Sequence, residues 1–397
     1  MTIPNKAFFQ SAAIFSLTAT CLVLPLSTSL LSLFSLITLF LWLFCGKWQA
    51  LLTLLRTNAI VLLVILLLIL FLVGLSYTSA DISDALSYLK KYRKLLFIPV
   101  VMSLLQGNPT AKIRCETAFL VGCVILLATS YCMYFSIIPS PKFGNSLLFH
   151  ITHSFFISIL AFYAAQKAVD SLHIKVKSLW ILLFLLCFLN MFYLTPGRTG
   201  MFIFPFLMLL FFMQRLSIVK QLLCLVLLVS ILWVAFTTSQ NFNSRSMAAV
   251  QEIQSYEYGA SRTSLGMRFD WWRDSIALMK ESPVFGHGTG SFAAAHDTFI
   301  RGSELMKTDN PHNEFLLIGV QLGLAGLAVF ILLLLAQFLC SLKLEKPDKL
   351  YVQGILVAII VGCTMNSFLL DTHQGHLWAI LSAVYLSSTP SFMVTST

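Results

Sequence analysis

Near-continuous apolar stretches recur along the whole chain, and they constrain its fold more than any motif does. Residues 59–75 and 222–236 form runs that approach the length a helix needs to cross the hydrocarbon core of a bilayer. Charged residues make up only 11% of the 397 residues, whereas a soluble domain carries roughly a quarter. The sequence therefore predicts an all-α polytopic integral membrane protein and excludes a soluble protein with one anchor.

Hydropathy predicts about twelve transmembrane helices, the first of which follows Lys6 and is interpreted as a span, not as a cleavable signal. The predicted helices cover residues 8–24, 29–46, 59–76, 95–106, 117–138, 147–166, 178–195, 200–213, 221–238, 312–340, 350–370 and 375–389. The fourth is short, and we expect it to begin earlier, within residues 86–94. Helices 1–9 thus occupy residues 1–238, a long loop that contains helices occupies 239–311, and helices 10–12 occupy 312–397.

The distribution of Lys and Arg predicts the orientation of the chain. With the N-terminus in the cytoplasm and alternating sides, 13 of the 26 basic residues fall on the cytoplasmic side and six in short outer loops. The remaining seven lie in the long loop, which the positive-inside rule does not count. We therefore expect both termini inside and the long loop outside. The net charge of +10 then reflects topology and contact with membrane lipids, and no nucleic-acid partner is expected.

The six outer exceptions mark places where a positive charge needs a reason. They are Lys90, Lys91, Arg93, Lys94, Lys142 and Arg198. Snorkelling to lipid phosphates explains the cluster at residues 90–94 in one interpretation. In the other, Lys90, Lys91 and Arg93 bind the anionic headgroup of a substrate.

Two segments of the long loop have recognisable patterns. Residues 265–281 show helical spacing, and the apolar face of that helix is expected to pack against the membrane or the protein. Arg268 and Arg273 flank the face, so at least one of them could meet an anionic ligand. Residues 283–292 carry glycines at alternate positions, which permit close backbone approach or unusual dihedral angles.

Residues 309–314 read Asp-Asn-Pro-His-Asn-Glu immediately before an apolar run. Asn310 is a suitable N-cap and Pro311 a suitable first residue, so His312 is predicted in the first turn of a transmembrane helix. The helix dipole would then keep the imidazole neutral and able to accept a proton. A solvated histidine in a capping sequence is the alternative.

Other histidines and the cysteines give weaker indications. His150 and His373 are predicted near the outer surface, either as polar groups of a substrate site or as interface residues. Metal binding is not expected, because supporting ligands at suitable spacing are absent from the sequence. None of the nine cysteines lies in the long loop, and we interpret them as small apolar residues of the helices.

These motifs together resemble the bacterial O-antigen ligase and polymerase superfamily, most closely the O-antigen ligases that complete lipopolysaccharide. Residues 195–200 (Thr-Pro-Gly-Arg-Thr-Gly) look like the family's Ser-Arg-Thr-Gly motif, although Gly197 stands where relatives often have Ser. Arg268, Trp272 and the glycine-rich segment look like its loop motif, and residues 311–316 match its Pro-His-Asn signature. The resemblance covers nearly the whole chain.

The resemblance implies a fold like that of the GT-C glycosyltransferases, and a reaction. A glycan moves from undecaprenyl diphosphate to a sugar hydroxyl of lipid A–core, at the periplasmic face of the inner membrane, without metal or other cofactor and with inversion. His312 would be the base, and Arg198 and Arg268 would stabilise the departing diphosphate. Arg273, Asn313, His150 and His373 are further expected substrate contacts, beside Lys90, Lys91 and Arg93.

Two alternatives remain open from the sequence. A polymerase of the same superfamily would use the growing glycan as acceptor. A transporter of lipid-linked glycan would place charges along a path through its helices, whereas here they gather at the outer face.

Overall fold

The computed structural model describes residues 6–140, 144–260 and 262–388, and these residues form α-helices and no β-strand. Lys142 lies outside the described residues. The helices are α1 (Lys6–Val23), α2 (Thr28–Phe44), α3 (Trp48–Thr57), α4 (Ala59–Gly74), α5 (Ile82–Tyr92), α6 (Phe97–Leu105), α7 (Pro109–Tyr134), α8 (His150–Asp170), α9 (Ile174–Leu189), α10 (Arg198–Arg215), α11 (Ile218–Thr238), α12 (Gln240–Gln254), α13 (Ser264–Glu281), α14 (Phe292–Phe299), α15 (Glu314–Ser341), α16 (Asp348–Cys363) and α17 (Thr372–Leu386).

Each of the twelve predicted apolar helices overlaps a helix of the structure. Within the described residues, five helices are long and apolar enough to cross a membrane on their own, namely α1, α7, α9 with its π-helical extension, α11 and α15. A sixth crossing results if α2 and α3, which meet at a bend of 99°, are one broken span. The chain is thus a helical protein with several apolar spans, and twelve crossings remain a prediction.

Two amphipathic helices were not predicted from hydropathy. α3 follows α2, and its buried face is small because only Leu54 is buried. α5 carries Lys90 and Lys91, and the 3-10 turn Arg93–Leu96, which joins it to α6, carries Arg93 and Lys94. The early start expected for the fourth apolar helix is therefore wrong, because α6 begins at Phe97 and the residues before it form a separate helix and a 3-10 turn.

Ion pairs gather at the end of the bundle that the basic residues predict to be cytoplasmic. Lys167 contacts Glu116 at 2.7 Å, and Lys112 contacts Asp348. These residues come from α7, α8 and α16, which are distant in sequence. Their convergence agrees with an alternating path of the chain.

The glycine-rich part of the long loop packs into a break in α15. The amides of Leu324 and Ala325 donate to the carbonyls of Pro283 and Val284, at 2.8 and 3.1 Å. The helix kinks at Gly323, where φ is 63°. The loop in turn donates to the freed carbonyls of α15, which are those of Val320 and Gln321 (2.9 Å each). Backbone groups at the kink are satisfied by the loop, as burial requires.

Gly288 is the position in this loop that most needs glycine. Its φ is +96°, and a Cβ there would lie 2.2 Å from the Cα of Thr78. The neighbouring Thr289 donates its amide to Gly74 at 3.1 Å. The loop is therefore held against the C-terminal end of α4, and the expected close backbone approach is confirmed.

The helix predicted at residues 265–281 is confirmed as α13, and its apolar face is only partly buried. Met279 of that face packs against the core, whereas Ile276 is 48% exposed. The buried residues of α13 are Gly266, Asp270, Asp274, Ser275 and Leu278. Hydrogen bonds explain the burial of the two acids. Asp270 accepts from the Tyr256 hydroxyl at 2.9 Å, and Asp274 accepts from Tyr258 at 2.7 Å.

Candidate active site

His312 lies just before α15 and not in its first turn, so the predicted helix start is wrong. The helix begins at Glu314, and Asn313 is its N-cap, with Oδ1 accepting the amide of Leu316 at 3.2 Å. His312 has a φ of +53°, a conformation uncommon for residues other than glycine. Such backbone strain is often associated with functional positions.

Asn310 explains why the helix starts late. Its Oδ1 accepts the amide of His312 at 2.8 Å, which is an Asx-turn and competes with helix formation. The same oxygen accepts the hydroxyl of Ser367 at 2.6 Å. Asn310 thus binds the His312 turn to the connection between α16 and α17.

Two tryptophans of α13 hold the other side of this turn. Trp272 donates its indole N–H to the carbonyl of Pro311 at 2.9 Å. The ring of Trp271 lies 5.5 Å from that of His312, between centroids, with an interplanar angle of 34°. The helix that carries Arg268 is therefore fixed directly against the segment that carries His312.

Arg198 is the first residue of α10, and close helix packing determines its position. A Cβ on Gly197 would lie 2.4 Å from the Ser154 side chain and 2.6 Å from the His150 carbonyl. The Ser154 hydroxyl accepts the amide of Gly200 at 3.0 Å. In this chain, a serine of α8 therefore occupies the space that a side chain at residue 197 would need.

Arg198 is paired with the carboxylate of Glu252 in α12, and Arg268 lies within the electrostatic influence of both. Both terminal nitrogens of Arg198 contact Glu252 Oε1, at 3.3 and 3.2 Å. Arg198 and Glu252 also act electrostatically on Arg268, whose pKa is lowered by burial and by the charge of Arg198. Among the described residues, the Arg268 guanidinium forms no hydrogen bond.

The pKa of His312 lies below its usual value. Burial is the main cause, and the positive charge of Arg268 adds to it, against opposing effects of Asn366 and Asp309. The predicted helix dipole is not needed to explain the neutral ring, because His312 lies outside the helix. A neutral imidazole near pH 7 can accept a proton.

A cavity of about 340 Å³ opens beside His312. Most of its lining residues have polar side chains, and they combine the His312 turn with the starts of α8 and α17. The lining residues are Thr28, Phe149, Ile151, Thr152, Asn310, His312, Asn366, Ser367, Asp371, Thr372, His373 and Gln374. The cavity thus gives access to the imidazole from the end of the bundle where α8 and α17 begin.

Asp371 lines this cavity together with His373, two residues later in the same polar segment. Burial raises its pKa to about 6, although the charge of Lys94 opposes the shift. Lys94 is buried and donates to the carbonyls of Asp371 (2.7 Å) and Leu370 (3.2 Å). This lysine therefore supports the cavity wall, unlike the other basic residues of its cluster.

Lys90, Lys91 and Arg93 are exposed. The ammonium of Lys91 lies 4.8 Å from the ring centroid of Tyr88, and the Tyr88 hydroxyl donates to the carbonyl of Asp309 at 2.5 Å. The cluster is thus connected to the segment that carries His312, with its cations directed to solvent or lipid.

The other predicted contacts have different surroundings. Arg273 lies 4.1 Å from the ring centroid of Tyr258, on the side of α13 occupied by Asp270 and Asp274. Asn313 uses its oxygen as a helix cap and donates its amide to Thr364 at 3.2 Å. Both side chains already have partners inside the protein, and substrate contact by either remains a prediction.

His150 and His373 lie near the candidate site. His150 is half-buried at the start of α8, next to the turn that leads to Arg198. His373 is buried in the cavity wall, with Nδ1 2.6 Å from the carbonyl of Leu24. Its second nitrogen is the group through which it could act on a substrate.

Glu252 and Asn366 are the residues of the site that sequence reasoning missed. Glu252 lies in a polar segment without a distinctive motif, so only its contact with Arg198 reveals it. Asp371 and Asn366 stand in the polar break between two apolar runs, which is a usable signal. Within the described ranges, no group of three or more His, Cys, Asp or Glu side chains is arranged to hold a metal ion.

Comparison with known proteins gives two findings. Residues 182–331 match the O-Antigen ligase family, and this segment contains Arg198, Arg268 and His312. An uncharacterized protein of Haemophilus influenzae is 26% identical over 293 residues, which cover 70% of this chain and 71% of the relative. The matched segment carries both arginines and the histidine of the candidate site, and this part of the chain is similar to the O-antigen ligase family.

Proposed function

We propose that the protein is an O-antigen ligase in lipopolysaccharide biosynthesis. It transfers a glycan from undecaprenyl diphosphate to a sugar hydroxyl of lipid A–core, at the periplasmic face of the inner membrane. The observation that carries the proposal is the convergence of a neutral His312 with the guanidinium groups of Arg198 and Arg268. The match of residues 182–331 to the O-Antigen ligase family supports a ligase of the glycosyltransferase type acting on lipid-linked substrates.

In the proposed reaction, the acceptor hydroxyl oxygen attacks the anomeric carbon of the donor sugar. The bond from that carbon to the diphosphate oxygen breaks, and undecaprenyl diphosphate leaves with the electron pair. The hydroxyl proton passes to His312, whose low pKa keeps it unprotonated beforehand. Attack opposite the leaving group inverts the anomeric centre.

Arg198 and Arg268 stabilise the negative charge that develops on the diphosphate. A guanidinium keeps its charge and binds phosphate oxygens through two fixed donors. Arg268 suits this role because it is half-buried, and the described residues offer it no hydrogen-bond acceptor. The arginines would take the part that a metal ion has in many other glycosyltransferases.

The polar cavity beside His312 is the proposed acceptor site. Its hydroxyl, amide and imidazole groups can hydrogen-bond a sugar in several orientations. His373 and His150 are proposed contacts of the acceptor or donor sugar. Lys90, Lys91 and Arg93 are proposed to bind phosphate groups of lipid A–core or of the donor lipid, since their cations are exposed.

Deletion of the gene tests this function against the polymerase alternative. Loss of the ligase should leave full-length glycan on its lipid carrier and bare lipid A–core. Core that carries single glycan units would identify a polymerase instead. If the protein were a transporter, its deletion would leave lipid-linked glycan on the cytoplasmic side of the membrane. An impermeant label applied to intact spheroplasts would then fail to reach the glycan.

A further inference from the structure

The carboxylate of Glu252 lies against Arg198, where the proposed mechanism places the donor diphosphate. One oxygen contacts both terminal nitrogens of Arg198, and the other accepts the amide of Leu265 at 2.8 Å. The side chain is 13% exposed, and that of Arg198 is 34% exposed. Glu252 therefore covers the face of Arg198 that a phosphate group would use.

The geometry of this ion pair differs from that of a structural arginine pair elsewhere in the chain. Arg215 binds both oxygens of Asp170 in a fork, with two distances of 2.7 Å. Arg198 meets a single oxygen at 3.2 and 3.3 Å, which is longer than a strong charge-assisted hydrogen bond. The contact of Arg198 is thus weak and open to replacement by a better acceptor.

The group formed by Arg198, Arg268 and Glu252 has a net positive charge. Arg198 and Arg268 together carry two positive charges, and Glu252 supplies one negative charge. Because Arg268 has no hydrogen-bond acceptor among the described residues, its donors are unused. A diphosphate group has enough oxygens and charge to satisfy both guanidinium groups at once.

The side chain of Glu252 can leave Arg198 without opening a packed core, because no residue of α12 is buried. The helix itself is held at both ends. Asn241 near its start donates to the Thr195 carbonyl at 2.6 Å, and Tyr256 and Tyr258 after its end donate to Asp270 and Asp274 of α13.

We propose that Glu252 is an internal competitor of the donor diphosphate. In the free protein its carboxylate occupies Arg198, and binding of the diphosphate displaces that side chain. This inference rests on the proposed use of Arg198 and Arg268 for the diphosphate. It adds that the anion site is closed by the protein's own carboxylate until the donor arrives.

Binding of undecaprenyl diphosphate to the purified full-length protein in nanodiscs tests the inference without any transfer reaction. Glu252→Gln removes the competing charge and keeps the shape of the side chain. We expect the variant to bind about fivefold more tightly than wild type, because a weak ion pair no longer competes. Equal or weaker binding would overturn the inference.

Two further variants separate competition from other effects. Glu252→Ala should also bind more tightly, whereas a residue that positions Arg198 for the ligand would weaken binding when truncated. Glu281→Gln makes the same charge change at the exposed far end of α13 and should leave affinity unchanged; an equal gain there would contradict the inference. If Glu252→Gln binds more tightly but wild-type protein transfers no glycan to lipid A–core, the competitor role is upheld and the proposed ligase is refuted.

Discussion

Asn310 holds His312 out of the transmembrane helix, because its side-chain oxygen accepts the amide of His312 at 2.8 Å. The same oxygen receives the hydroxyl of Ser367 at 2.6 Å. The imidazole is therefore positioned by a turn that is bound to the α16–α17 connection, and not by helix geometry. The family match extends over this turn.

Replacement of Asn310 tests the importance of the turn. Asn310→Ala removes both hydrogen bonds and allows the chain before Asn313 to rearrange, so we expect the rate of transfer to fall about tenfold or more. Asn310→Asp keeps an acceptor oxygen and should retain more activity than Asn310→Ala. Equal activity of Asn310→Ala and wild type, measured as product per amount of purified protein, would show that the turn does not position His312.

The two arginines should not tolerate conversion to lysine. Arg198→Lys and Arg268→Lys keep the charge but lose the planar pair of donors, and we expect transfer to decrease about a hundredfold in each. Arg301→Lys, at an exposed position of the same long loop, is the matched control and should have wild-type activity. Wild-type rates in both test variants would mean that the diphosphate binds elsewhere.

The pH dependence of kcat/KM reports the protonation of His312. Burial and Arg268 hold its pKa below 6.5, so activity should be complete at neutral pH and decline as the pH falls through that lower pKa. Arg268→Gln removes a positive charge beside the ring, which raises the pKa. The acidic midpoint of its residual activity should therefore move to higher pH.

Arg301→Gln should leave the acidic midpoint where wild type has it. A wild-type midpoint above pH 7, or no movement in Arg268→Gln, would contradict the assignment of this limb to His312.

Gly288 should be essential for the attachment of the long loop. In Gly288→Ala, the new Cβ meets the backbone of Thr78 at 2.2 Å and φ is +96°, so we expect a loss of roughly 2–4 kcal/mol of stability. Gly302 has a φ of +84° but no heavy atom within 4 Å of an added Cβ. Gly302→Ala should therefore cost only about 1–2 kcal/mol. Thermal unfolding in detergent compares the two, and equal melting temperatures would contradict the proposed packing.

The apolar helices were predictable because a chain in lipid must satisfy its backbone internally, and long apolar runs reveal where it does so. Arg198, Arg268 and His312 were found because they stand in distinctive motifs. The amphipathic helices α3 and α5 escaped detection, since their short apolar faces have no membrane-length run.

The helix start at Glu314 was not predictable from local sequence. Asn310 and Asn313 are equally good caps by residue type, and the choice depends on Ser367, which is distant in sequence. The burial of two acids in α13 was not predictable for a related reason. Asp270 and Asp274 are buried only because tyrosine hydroxyls, and His296 at 3.1 Å, supply their hydrogen bonds.

Reconstitution of the purified protein with undecaprenyl-diphosphate-linked glycan and lipid A–core tests the central claim most directly. Wild-type protein should attach the glycan to the core, and His312→Ala should insert and accumulate normally but form no product. His173→Ala, at an exposed position remote from the site, should retain full activity. Product formation by His312→Ala at the wild-type rate would contradict the role of His312 as the base, and absence of product with wild-type protein would contradict the ligase itself.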